Sequence, residues 1–119
     1  MSYVAQLRSR QTAEKAALAR LHKQQDGENR VMASSWAARA AVDKKALAAR
    51  HKNQGPLAKK HNKANNAAEK AQLAAQQKRE RASWTSSKKG LKFNQKVERE
   101  NMATKHRNDM AFAIKQQKK

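Results

Sequence analysis

Asp43-Lys44-Lys45-Ala46-Leu47-Ala48-Ala49-Arg50-His51-Lys52, followed by Asn53-Gln54-Gly55-Pro56, contains the pattern that organises the whole chain. Its first part consists of strong helix formers around a single large apolar residue, Leu47. Its last two residues are a stop, because Gly accepts a left-handed helix cap and Pro cannot continue the helix before it. Gly55-Pro56 is the sharpest boundary in the sequence.

The same block occurs upstream as Glu14-Lys15-Ala16-Ala17-Leu18-Ala19-Arg20-Leu21-His22-Lys23 and downstream as Glu69-Lys70-Ala71-Gln72-Leu73-Ala74-Ala75-Gln76-Gln77-Lys78. A looser copy is Glu98-Arg99-Glu100-Asn101-Met102-Ala103-Thr104-Lys105-His106-Arg107. Each reads acid, base, two variable residues, Leu or Met, Ala, two variable residues, His or Gln, base. Starts at 14, 43, 69 and 98 suggest an internal duplication about the Gly55-Pro56 hinge. On a helix the acid, the apolar knob and the His or Gln fall at i, i+4 and i+8, along one slightly drifting stripe. One large knob per block (Leu18, Leu47, Leu73, Met102) is narrower than the apolar face of an ordinary core helix.

The wider composition agrees with helix and argues against a large core. Of 119 residues, 38% are hydrophobic, but 24 of these are Ala and only 21 are larger. Burial at ~25 cal/mol per Å² from so few large side chains barely offsets the entropy of ordering the chain. Only three Gly and one Pro interrupt the helix formers, and no period-2 strand pattern occurs. The expected fold is all-α, with about four Gly-punctuated helices near 2–25, 28–54, 57–81 and 94–115. The first two make one pair (1–55) and the last two another (56–119). Ser83-Trp84-Thr85-Ser86-Ser87-Lys88-Lys89-Gly90 reads as a loop, because its hydroxyls compete for backbone hydrogen bonds. Two arrangements fit this punctuation: helices extended and threaded through an assembly, or a thin hairpin bundle with Trp36, Trp84, Phe93, Phe112 and Ile114 at its ends.

Lys and Arg number 28 against 9 Asp and Glu, a net charge of +19 on 13.4 kDa. The second half, 56–119, is the more basic, and its densest positions are Lys59, Lys60, Lys63, Lys78, Arg79, Arg81, Lys88, Lys89, Lys92 and the run beginning at Lys115. An excess of one sign exceeds what solubility requires and suits phosphate, where each contact releases counterions. Trp36 and Trp84, each following a small-residue Ser, read as packing anchors rather than base-stacking platforms.

Catalytic and metal chemistry find little support. No phosphate-cradling Gly-rich loop, nucleophile elbow or metalloprotease pair occurs, and isolated carboxylates among cations make poor general acids. There is no Cys, and His22, His51, His61 and His106 include no pair at i, i+4 spacing, so neither cofactor nor metal is expected. No apolar run approaches a bilayer span, and no secretory h-region follows the N-terminus. Arg8 and Arg10 resemble a mitochondrial transit segment in charge alone.

These features are those of a non-catalytic, intracellular, architectural polyanion binder. An RNA-phosphate-binding component of a large ribonucleoprotein such as a ribosome explains the charge and the weak core. A second reading explains the repetition: block spacings of about 40 Å and a duplication of about 80 Å, at 1.5 Å per helical residue, would match a microtubule lattice such as the inner wall of a ciliary doublet. That match requires helices running end to end. DNA binding, or a place inside a virion, shares the charge argument.

Overall fold

A computed structural model describes residues 2–117 and is all-α, with three helices: α1 (Tyr3–Lys52), α2 (Pro56–His61) and α3 (Lys63–Gln117). No strand is present among the described residues. The chain forms two compact units, one from residues 1–28 and 89–119, the other from 29–88.

Two of the expected breaks are absent. Gly27 lies inside α1 and Gly90 inside α3, and no glycine adopts a positive φ. A helical Gly costs only about 1 kcal/mol relative to Ala. Contacts next to Gly27 help to offset that cost, since the Asp26 carboxylate accepts from Lys92 Nζ at 2.8 Å and from Gln95 Nε2 at 3.2 Å. The expected loop at 83–90 is also helix. The Thr85 hydroxyl does not break the helix, since its Oγ1 donates to the carbonyl of Arg81 one turn back, at 3.1 Å. A Cβ at Gly27 or Gly90 would enter open space. Gly27→Ala and Gly90→Ala are each expected to raise stability by up to about 1 kcal/mol, read as a higher Tm in thermal melts followed by circular dichroism.

The remaining break is real and is made by Pro56. A proline forces the residue before it into extended backbone, and Gly55 stands at φ −65°, ψ 159°, so it is the N-cap of α2 rather than a left-handed cap of α1. Pro56 occupies the first turn of α2, where its missing N–H is no loss. Asn62, at φ −96°, ψ 11°, separates α2 from α3.

Within each unit the α1 and α3 segments pair antiparallel along a seam. In the 1–28/89–119 unit Glu14 meets His106 and His22 meets Glu98. In the 29–88 unit His51 meets Glu69, and Gln54 and Asn66 exchange amide hydrogen bonds at 2.7 and 3.2 Å. Position numbers in all these pairs are symmetric about residue 60. The four knobs follow the same register, Leu18 with Met102 lining one groove and Leu47 with Leu73 another. A block spacing of 29 residues is close to eight helical turns, so the two blocks of each helix start at nearly the same helical phase.

The seam is thin and partly polar. Among the described residues only Leu7, His22, Gln95, His106 and Ala113 are buried, all in the 1–28/89–119 unit. Val31, Met32, Val42, Phe93 and Phe112 are exposed. The helices are therefore held by a narrow line of contacts rather than by a broad apolar face.

Candidate functional site

The repeated block is the structural element that makes the seam. Its acid and its His lie eight residues apart on one face, and antiparallel pairing brings the acid of one block against the His of the opposite block. His106 Nε2 is 3.1 Å from Glu14 Oε2, His22 Nε2 is 3.5 Å from Glu98 Oε2, and His51 Nε2 is 3.7 Å from Glu69 Oε2. Arg50 adds an ion pair to Glu69. The third block has Gln77 in the His position, and its amide donates to the Ala40 carbonyl at 2.8 Å instead. Near Gly27 the Gln95 side chain is 1% exposed, and its Nε2 is within donor distance of the His22 carbonyl, Gln25 Oε1 and Asp26 Oδ1. A buried amide with such partners penalises any shifted register, which would leave it unpaired.

These contacts tune the carboxylates. The hydrogen bond from His106 holds Glu14 below the usual Glu range, Lys92 does the same for Asp26, and the Trp36 indole N–H does so for Glu80. A carboxylate whose folded pKa lies below its unfolded value adds stability that is present above the unfolded pKa and lost as pH falls through the folded one. Lowering the pH from 7 through about 4 and below is therefore expected to lower the Tm. In Glu14→Gln this acid-dependent part of the loss should shrink, as pH-dependent melts would show. An unaltered acid profile in the variant would place the effect elsewhere.

The expected polyanion-binding residues are all exposed, and among the described residues all but Lys92, which reaches across the seam to Asp26, form no hydrogen bond or ion pair across it. Lys59, Lys60, Lys63, Lys78, Arg79, Arg81 and Lys88 belong to the 29–88 unit, and Lys89, Lys92 and Lys115 to the other. Lys118 and Lys119, the end of the last basic run, lie outside the described residues. Lys92 is the one member of this set that an ion pair engages among the described residues, with Asp26. Trp36 and Trp84 are half-buried, and the Trp36 indole reaches across the seam to Glu80.

Two grooves flank the knobs. In the 29–88 unit, a groove of about 720 Å³ has Leu47, Ala48, Leu73 and Ala74 along its floor. Lys44, Lys70, Lys78 and Arg81 lie along it, and no carboxylate lines it. In the other unit a groove of about 280 Å³ is lined by Lys15, Leu18, Ala19, Arg99, Met102 and Ala103, the same positions of the first and fourth blocks. Lys15, Lys44, Lys70 and Arg99 lie outside the densest charge runs. The signal for them is positional: the base and the Ala of each block, at i+1 and i+5, sit beside the seam stripe on the same side.

No helix among the described residues is long and apolar enough to cross a membrane, and no group of three or more His, Cys, Asp or Glu side chains could hold a metal ion. Compared with models of protein families, with characterised proteins and with solved structures, the chain matches none.

Proposed function

We propose that this chain is a non-catalytic architectural protein that binds the phosphates of RNA within a large ribonucleoprotein. The supporting observation is how the seam sorts charge. Five of the nine carboxylates, Glu14, Asp26, Glu69, Glu80 and Glu98, are engaged by partners across the seam. Among the described residues only Arg50 and Lys92, of all the lysines and arginines, form an ion pair with them. These five carboxylates are drawn toward the seam, while Glu28, Asp43, Glu100 and Asp109 stay exposed among a large excess of unpaired Lys and Arg, so the outer surface keeps a net positive charge with which phosphate contacts can release counterions. The 29–88 unit is the more basic, with 14 Lys and Arg against 3 Asp and Glu.

Repetition, the feature that favoured a microtubule lattice, has a cause inside the fold: each block supplies a seam contact to another block of the same unit. The break at Gly55-Pro56, with antiparallel pairing on either side of it, also departs from the end-to-end path on which the 80 Å spacing depends. RNA phosphate is thus the reading with fewer additional requirements.

With so thin a seam, the free chain in dilute buffer is expected to be incompletely helical and to gain helix when a polyanion binds. Circular dichroism with added RNA measures this, and the gain should fade as salt rises. Competition between RNA and duplex DNA at equal phosphate concentration distinguishes the two nucleic acids. A free protein that melts in one sharp transition and is indifferent to RNA, binding polymerised tubulin instead, would reverse the order of the two readings.

A further inference from the structure

Both grooves combine features that neither a solvated surface nor a phosphate track explains. Each has an aliphatic strip: Leu47, Leu73 and two alanines in one, where His51 and Gln77 also line the groove, and Leu18, Met102 and two alanines in the other. Alanine at these positions lets another backbone approach closely, and the half-buried knobs leave apolar surface that the seam does not cover. Each floor is flanked by a base from α1 and a base from α3, Lys44 with Lys70 and Lys15 with Arg99. On the other side of the Leu47–Leu73 contact the lining changes to Asp43, Arg50 and Glu69, so the excess of bases belongs to one side only.

We propose that these grooves dock an amphipathic α-helix of a partner protein, with aliphatic residues along its centre and Asp or Glu on both flanks. Bases from Lys70 to Arg81 follow α3 for eleven residues, about 16 Å or three turns, the length over which a helix presents apolar positions i, i+3 or i+4, and i+7. Acidic flanks would meet Lys44 on one side and Lys70, Lys78 and Arg81 on the other, and a third helix would cover the floor. A second copy of this chain fits poorly, because its own blocks carry a base beside every knob and like charges would oppose one another. An RNA backbone satisfies the bases but has no apolar strip for the floor. The four-block repeat thereby serves twice, with acid and His holding the seam and base, knob and Ala forming the groove beside it.

The test uses the full chain and two fluorescein-labelled synthetic peptides of identical composition, rich in Glu and Leu. One places Leu at i, i+4, i+7 and i+11 of a helix, and the other scrambles that order. At about 0.15 M salt, where surface charge is screened within roughly 8 Å, the amphipathic peptide is expected to bind at least about tenfold more tightly than the scrambled one. Ala74→Gln, which keeps charge and largely keeps helix propensity but fills the larger groove, should lower the amphipathic peptide bound per chain from two to one, and combined with Ala19→Gln should remove the preference, with RNA binding unchanged. Ala19→Gln repeats the experiment in the other groove, and circular dichroism of both variants verifies that they remain helical. Equal binding of the two peptides would overturn the proposal, as would a preference that survives in the double variant. Loss of RNA binding rather than peptide binding in Ala74→Gln would also overturn it and make the groove a nucleic-acid contact. A wild-type chain that ignores RNA counts against the phosphate reading alone, because the peptide comparison contains no RNA.

Discussion

Replacing Lys59, Lys60, Lys63, Lys78, Arg79 and Arg81 together with Gln is expected to weaken RNA binding by several orders of magnitude at low salt and to flatten its salt dependence. Gln preserves helix propensity, and all six side chains are exposed and outside the seam, so the helices should survive the change. The physical basis is counterion release, which contributes about 0.7 to 0.9 to the slope of log affinity against log salt for each phosphate neutralised. Six lost contacts would make the slope less steep by about 4 to 5. Because phosphate contacts carry no base information, the loss should be similar for unrelated RNA sequences. Filter binding or anisotropy over a salt series measures both quantities. Unchanged affinity and slope would move the contact to bases elsewhere, of which Lys15, Lys44, Lys70 and Arg99 are the next to examine.

The sequence made the helical class legible because Ala, Lys, Gln, Arg and Leu leave no other regular structure available, and it made the turn legible through Pro56. Gly27 and Gly90 were misleading for a physical reason. A Gly marks a helix end when the flanking residues offer nothing to the continued helix, and that condition is decided by partners more than sixty residues away, Lys92 and Gln95 for Asp26. Likewise the hydroxyl-rich stretch before Gly90 is helical, and there the Thr85 hydroxyl bonds a carbonyl one turn back, a pairing compatible with the continued helix. The i, i+4, i+8 stripe could be read directly, but its purpose could not. Glu14 and His22 share a face of one helix, whereas their partners His106 and Glu98 are defined only once the turn fixes the register. The grooves depend on that register too, since Lys44 and Lys70 belong to different blocks and become neighbours only across the seam.

Inserting seven helix-forming residues after Glu28 is expected to unfold the 1–28/89–119 unit, whereas adding the same insertion after Lys88 should restore it. Seven residues are nearly two turns, so α1 keeps its face within about 20° while its first 28 residues slide about 10 Å past α3. Glu14 would then lie opposite Ala113, His22 opposite Lys105, and Leu7 beyond the described end of α3. The unit would lose the Glu14–His106 hydrogen bond, the partners of the buried Gln95 and the burial of Leu7, each a group that is costly to leave unmatched. Loss of the Gln95 and Leu7 contacts alone, roughly 3 kcal/mol, at about 4 to 8 °C per kcal/mol for a unit of this size, lowers the Tm by about 12 to 24 °C. The paired insertion lengthens both helices equally and returns every seam partner to its place. Hydrogen exchange resolved along the chain would follow the effect: protection of residues 3–28 and 89–117 should fall in the single insertion and recover in the double, while 29–88 keeps its protection in both. If the single insertion leaves exchange unchanged, the register is not set by the acid–His ladder, and the repeated blocks must be read by something outside the chain.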